Sequence, residues 1–169
     1  SLATLLGLGV IFWSLDFWES RLITSRAAAP QGISALKNHF PVPHYVGPKL
    51  PPRFTFETHR PASWVPLKDL AKFTQAAFVT SEDAGFWKHN GFDPDGMREA
   101  METNIRARRY VRGASTITQQ VAKNLFLSRE KTLIRKFKEL LIARELEEAL
   151  PKRRILELYL NCIEFGEGT

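Results

Sequence analysis

Four stretches of this 169-residue chain gather side chains able to do chemistry. The first runs from Ser81 to Asp93 and holds two adjacent acids, Glu82 and Asp83, with Phe86, Trp87, His89 and Gly91 close behind. A carboxylate at the end of an apolar helix can be half desolvated, which raises its pKa towards general-base values. Solvated acids at a helix end, followed by a turn at Asn90-Gly91, account for the same residues. The second runs from Arg112 to Asn124 and reads Arg-Gly-Ala-Ser-Thr-Ile-Thr-Gln-Gln-Val-Ala-Lys-Asn. Ser115 is placed to cap a helix whose first turn, behind Gly113, would offer N–H groups to an anion. Thr116, Gln119, Gln120 and Lys123 could line a groove, hydroxyls and amides for sugars and an ammonium for phosphate. An ordinary capped helix with a polar surface is the simpler account.

The third stretch, Lys131 to Glu139, places Arg135 and Glu139 four residues apart, on one helix face. A surface ion pair explains that spacing. The alternative sets Lys131, Arg135 and Lys136 around a diphosphate, with Glu139 orienting them or holding a divalent cation. In the fourth, Lys152 to Asn161, the apolar positions read as core, and Lys152, Glu157, Tyr159 and Asn161 as structural residues.

The elements that must position these residues are mostly helical. Leu67, Leu70, Phe73, Ala77 and Phe78 recur at helical spacing after Pro66. A helix is expected after Asp93-Pro94, over Met97 to Arg106, another from Ser115 to Asn124, and the longest from Thr132 to Leu150. On that last one Leu133, Phe137, Leu140, Leu141 and Leu146 are expected on one side. Pro151 ends it and can open the next helix, whose apolar face is Ile155, Leu156, Leu158 and Tyr159. Residues 27–63 carry seven prolines, which break long helices, and only Phe54 to Glu57 alternates like a short strand. Residues 1–15 are uncharged. A helix of about 18 residues from this end spans about 27 Å, close to a bilayer core. The division expected is a transmembrane anchor over 1–20, a Pro-rich linker or arm over 21–62, and a folded domain over 63–169.

The net charge of +6 suits an anionic partner without naming it. No nucleic-acid-reading motif is present, and the basic residues interleave with acids. The single cysteine, Cys162, excludes an intrachain disulfide and reads as a buried small side chain.

Together the four stretches resemble the family 51 peptidoglycan glycosyltransferases, found as monofunctional transglycosylases and as the first domain of class A penicillin-binding proteins. The family pattern E-D-x-x-F-x-x-H-x-G is met by Glu82-Asp83, Phe86, His89 and Gly91. G-x-S-T-I/L-T-Q-Q-x-x-K-N is met by Gly113, Ser115 to Gln120 and Lys123-Asn124, R-K-x-x-E by Arg135-Lys136 and Glu139, and K-x-x-I-L-E-x-Y-L-N by Lys152 to Asn161. All four occur in order, over roughly Pro61 to Thr169. Many members carry Arg at the position of Lys131, which keeps the charge and loses the bidentate grip. Members also continue beyond Thr169, so the resemblance implies that the C-terminal part of the domain is missing.

The resemblance implies a mainly α, lysozyme-like fold with a small membrane-facing jaw and an N-terminal transmembrane helix. It implies lipid II as substrate, polymerised into β-1,4-linked glycan with inversion and release of undecaprenyl diphosphate. By position, Glu82 becomes the general base and Glu139 the second catalytic carboxylate, supporting the leaving diphosphate. Lys123, Arg135 and Lys136 neutralise its charge. Asp83, Ser115, Thr116, Gln119, Gln120, Asn124 and Lys131 complete the substrate-binding set, while Phe86 and His89 hold the first loop. No tightly bound cofactor and no protein metal site are implied, beyond a divalent cation, Mg or Mn, at the diphosphate. The partners implied are the growing glycan strand, the membrane, and cell-wall synthesis or division proteins. The place implied is the bacterial inner membrane, crossed once, with the catalytic domain outside the cytoplasm. Met97 to Tyr110, with Arg106, Arg108, Arg109 and Arg112, would rest on acidic headgroups. A lysozyme-like peptidoglycan-cleaving enzyme and a non-catalytic membrane-tethered glycan-binding module are the competing readings. A hydrolase has little use for the cation cluster.

Overall fold

The computed structural model describes residues 32–45, 52–111, 113–127 and 131–163. The expected anchor over residues 1–20 lies outside them. Among the described residues no helix is long and apolar enough to cross a membrane.

Five α-helices are described: α1 (Lys72–Glu82), α2 (Pro94–Ala107), α3 (Ile117–Phe126), α4 (Leu133–Ala149) and α5 (Lys152–Cys162). Two short 3-10 turns, Ile33–Lys37 and Leu67–Asp69, and a hairpin of β1 (Phe40–His44) with β2 (Arg53–Glu57) precede them. The expectation of a mainly helical chain holds.

The core lies where α3, α4 and α5 pack together. Ile117, Val121, Ala122, Leu125 and Phe126 of α3 meet Ile142, Ala143 and Leu146 of α4 and Ile155, Leu156, Leu158, Tyr159 and Cys162 of α5, all buried. Burial pushes the Cys162 thiol up to about 12, Arg154 opposing weakly, so it stays protonated as a core group.

The stretch expected as a linker carries structure from residue 32 onward. Pro41 and Pro43 share one strand parity, so both missing N–H groups can fall on the side of β1 away from β2, where a two-stranded ladder tolerates them. Ile33, Leu36 and Phe54 are buried in the same core. The lock is Arg154 of α5. Its Nε donates to the Leu36 carbonyl (3.0 Å) and its Nη2 to that of His39 (2.8 Å), and its guanidinium stacks over Phe40 and Trp64. Glu157 pairs with Arg154 and accepts from Trp64 Nε1 (3.1 Å) and the Leu67 N–H (2.8 Å). Asn161 bonds both backbone groups of Val65. The structural reading of Glu157, Tyr159 and Asn161 agrees with this arrangement.

Three expectations are corrected. The helix expected from Pro66 is split, since Leu67 sits in a 3-10 turn and Leu70 is extended before α1 begins. Gln75 fastens the break by donating to the Leu67 and Leu70 carbonyls, both at 2.8 Å. On α4 the inward stripe is Glu139, Ile142, Ala143 and Leu146, at i, i+3, i+4 and i+7. Leu133, Phe137 and Leu141 lie off that stripe and stay exposed. α3 is capped by Thr116, not Ser115.

Candidate active site

Glu82 is the last residue of α1 and its side chain is exposed. Its carboxylate accepts from Gln120 Nε2 at 3.0 Å. The chain then turns sharply, and the next acid points inward. Asp83 is buried, accepting from His89 Nε2 (2.9 Å) and from the backbone N–H of Ile117 (2.9 Å). An anion therefore does sit at the α3 N-terminus, as helix electrostatics favour, and it is the protein's own. The Gln119 N–H goes to the Thr116 hydroxyl (3.2 Å). These two bonds occupy donors that the sequence suggested would face a ligand, so the expected anion site at this helix end is already filled.

His89 fixes the loop after Asp83. Its Nε2 donates to Asp83, while Nδ1 accepts from the Gly91 N–H at 3.2 Å, the pattern of a neutral Nε2–H ring. Phe86 is fully buried beneath, with Lys152 Nζ 4.5 Å from its ring centre. Gly91 takes φ 82°, and a Cβ there would lie 3.1 Å from the Ala143 carbonyl oxygen of α4. Its own carbonyl accepts from Thr116 Oγ1 (2.8 Å) and Gln119 Nε2 (3.2 Å).

An open cleft is lined by Glu82, Asp83, Asp93, Met97 and the segment Gly113 to Thr116. On the α4 side, Lys136 Nζ donates to Ser115 Oγ (3.0 Å), to Gln119 Oε1 (3.0 Å) and to Glu139. Arg135 pairs with the other Glu139 oxygen. Ser115 therefore joins the two parts, since it lines the cleft beside Glu82 and holds Lys136. Glu139 itself is 2% exposed and reaches the cleft only through Lys136. Both its oxygens face cations, so a divalent ion placed there would meet two positive charges, and the residue does not fit as a metal ligand. Asp83, His89 and Asp93 put ligand-type atoms within 4.8 Å of one another. Hydrogen bonds account for that grouping, Asp93 serving as the α2 cap through the Gly96 N–H (2.9 Å).

Of the other expected residues, Gln120 and Asn124 are half-buried on α3 and Lys123 is exposed, one turn beyond Gln119 and Gln120. Lys131 is exposed just before Thr132, the α4 cap. Sequence reasoning gave no weight to Glu147, which is largely buried and takes both the Thr118 hydroxyl and Lys152 Nζ (2.7 Å). An acid among the charges of a long helix carries no local signal of that pairing. Burial and, second, the Glu82 carboxylate push the Tyr159 phenol upward, which keeps it protonated under the site.

Residues 52–169 match the transglycosylase family. Curated proteins named "biosynthetic peptidoglycan transglycosylase" are similar. One from Nitrosomonas eutropha is 50% identical over 106 residues, 63% of this chain and 43% of that protein. One from Paraburkholderia xenovorans is 48% identical over 107 residues, 63% and 45% of the two chains. One from Burkholderia multivorans is 50% identical over 106 residues. The chain thus spans less than half the length of these relatives. The match covers α1 to α5, including the cleft and the cation cluster behind it, and the chain belongs to the transglycosylase family.

Proposed function

We propose that the whole protein is a peptidoglycan glycosyltransferase that polymerises lipid II. The observation that carries this reading is an exposed carboxylate, Glu82, lining a cleft whose Ser115 accepts from Lys136 of the cation cluster behind it. Glu82 takes the proton from the 4-hydroxyl of the acceptor GlcNAc. The oxygen attacks C1 of the donor MurNAc as the bond from C1 to the diphosphate breaks, and that electron pair leaves with undecaprenyl diphosphate. Attack opposite the leaving group converts an α-linked donor into a β-1,4 bond. Negative charge grows on the leaving oxygen, and Lys136, Arg135 and Lys123 supply the field that meets it. Glu139 holds two of these cations in place rather than touching the sugar. A divalent cation would arrive with the diphosphate, and no step here is assigned to it.

The membrane supplies the substrate. Met97, Met101 and Ile105 form an exposed row at i, i+4 and i+8 on α2, followed by exposed Arg106, Arg108, Arg109 and Tyr110. That pattern suits an anionic bilayer surface. It supports a membrane surface as the working place, and the glycosyltransferase reading adds the growing glycan strand and cell-wall synthesis proteins as neighbours.

The test is polymerisation of purified lipid II in detergent or liposomes, followed as long glycan on a gel. Wild type should form polymer, and Glu82→Gln should lose about 10³-fold or more in rate, the upper range for a general base. Gln120 can still bond the amide, so folding should be unaffected. Polymer formation by Glu82→Gln at the wild-type rate would remove Glu82 from the chemistry. Cleavage of finished glycan without polymer formation would favour a hydrolase.

A further inference from the structure

Gln119 sits one position from Gln120, yet the two amides meet different surroundings. Gln120 is half-buried and bonds Glu82. Gln119 is 1% exposed, and both ends of its amide are engaged. Its Nε2 donates to the Gly91 carbonyl and its Oε1 accepts from Lys136. Only this orientation of the amide satisfies both neighbours, since an ammonium cannot accept and a carbonyl cannot donate. A side chain so enclosed has almost no surface left for a sugar.

The ammonium of Lys136 has three protons and three acceptors: Ser115 Oγ, Gln119 Oε1 and Glu139. Two of these acceptors, on Gln119 and Glu139, are buried, while Ser115 is half-buried on the cleft. With two protons held from behind, the third can point only towards the cleft. A phosphate oxygen arriving there needs to displace a single serine hydroxyl. On its other side, Gln119 is bonded to the Gly91 carbonyl, and the Gly91 N–H meets His89, which in turn meets Asp83, the residue after Glu82. Hydrogen bonds, carried through the covalent frame of Gly91 and His89, thus link the ammonium to the backbone that carries the carboxylate.

Building on the glycosyltransferase reading, we propose that Gln119 is a positioning residue that aims Lys136 at the leaving diphosphate and ties that aim to the loop behind Glu82, without touching substrate. Glu139 shares the first task. The second falls to Gln119, because among the described residues its amide alone bonds both Lys136 and the Gly91 carbonyl, which Thr116 Oγ1 also holds.

The test compares wild type, Gln119→Met and Gln119→Glu in the full chain, by lipid II kinetics and by amide hydrogen exchange. Gln119→Met keeps length and loses both bonds. Its kcat should fall at least tenfold, with KM within threefold of wild type, and exchange over residues 84–93 should quicken. Gln119→Glu keeps the acceptor for Lys136 and loses the donor to Gly91. It should recover part of the turnover while leaving the loop exchange fast. A tenfold rise in KM with kcat unchanged would mean that Gln119 touches substrate, and the proposal falls. Wild-type exchange over 84–93 in both variants would also overturn it, whether or not either variant is active. A wild-type chain that forms no polymer sinks the glycosyltransferase reading instead, and the exchange comparison still decides whether Gln119 ties Lys136 to the loop.

Discussion

Two carboxylates of the site sit in opposite conditions. Glu82 ends its helix in the open, with one amide as partner, while Glu139 lies in the packed stripe of α4 between two cations. A group that must receive a proton needs access to the substrate and freedom to change charge. A group that holds cations needs burial, so that its charge acts on them and not on water. Nothing in residue type separates the two acids; the helix position does. The end of α1 leaves Glu82 exposed, and the inward stripe of α4 encloses Glu139.

Substitutions at the two ends should therefore fail differently. The greatest loss of rate is expected from Glu82→Gln, described above, with stability within about 0.5 kcal/mol of wild type, as for other surface changes. Glu139→Gln should lower turnover about 100-fold and also destabilise the fold by about 2 kcal/mol. That is less than the roughly 3–5 kcal/mol of a fully buried pair, because both cations reach solvent. Denaturant unfolding beside the polymerisation assay checks both numbers, and equal stability of the two variants would erase the contrast. Lys123→Ala should lower kcat about 10-fold and leave stability unchanged, since the side chain is exposed. An unchanged rate would remove Lys123 from the cation end. Lys131→Ala should have the smallest effect, about threefold, and one that fades as salt is raised, as expected for an exposed charge acting at a distance. A salt-independent loss would place Lys131 in direct contact with the substrate.

Much of this arrangement was legible before any coordinates. Local signals located α2, α4 and α5, since apolar spacing, the start at Pro94 and the stop at Pro151 are local properties. Of the four polar segments, the first two meet at the cleft. Which polar groups face inward was not legible. Glu139 reads as a solvated member of an i, i+4 pair, and its burial follows from packing against other helices. Gln119 and Gln120 are indistinguishable by type and nearly so by position. About 100° of helix rotation sends one inward and the other towards Glu82. The Ile117 N–H at the start of α3 looked available because its acceptor, Asp83, lies 34 residues earlier in the chain. The Pro-rich stretch over 21–62 read as a linker or arm, because the arginine that holds its Leu36 and His39 carbonyls lies on α5.

That last point bears on how the chain is made. Arg154 grips carbonyls 118 and 115 residues upstream. During synthesis the hairpin leaves the ribosome long before its anchor exists. It must wait, undocked, until α5 has emerged. Closure of so long a loop comes late and slowly. Quality control in the cell would therefore meet the hairpin undocked, and open to a protease, whenever synthesis stalls before α5.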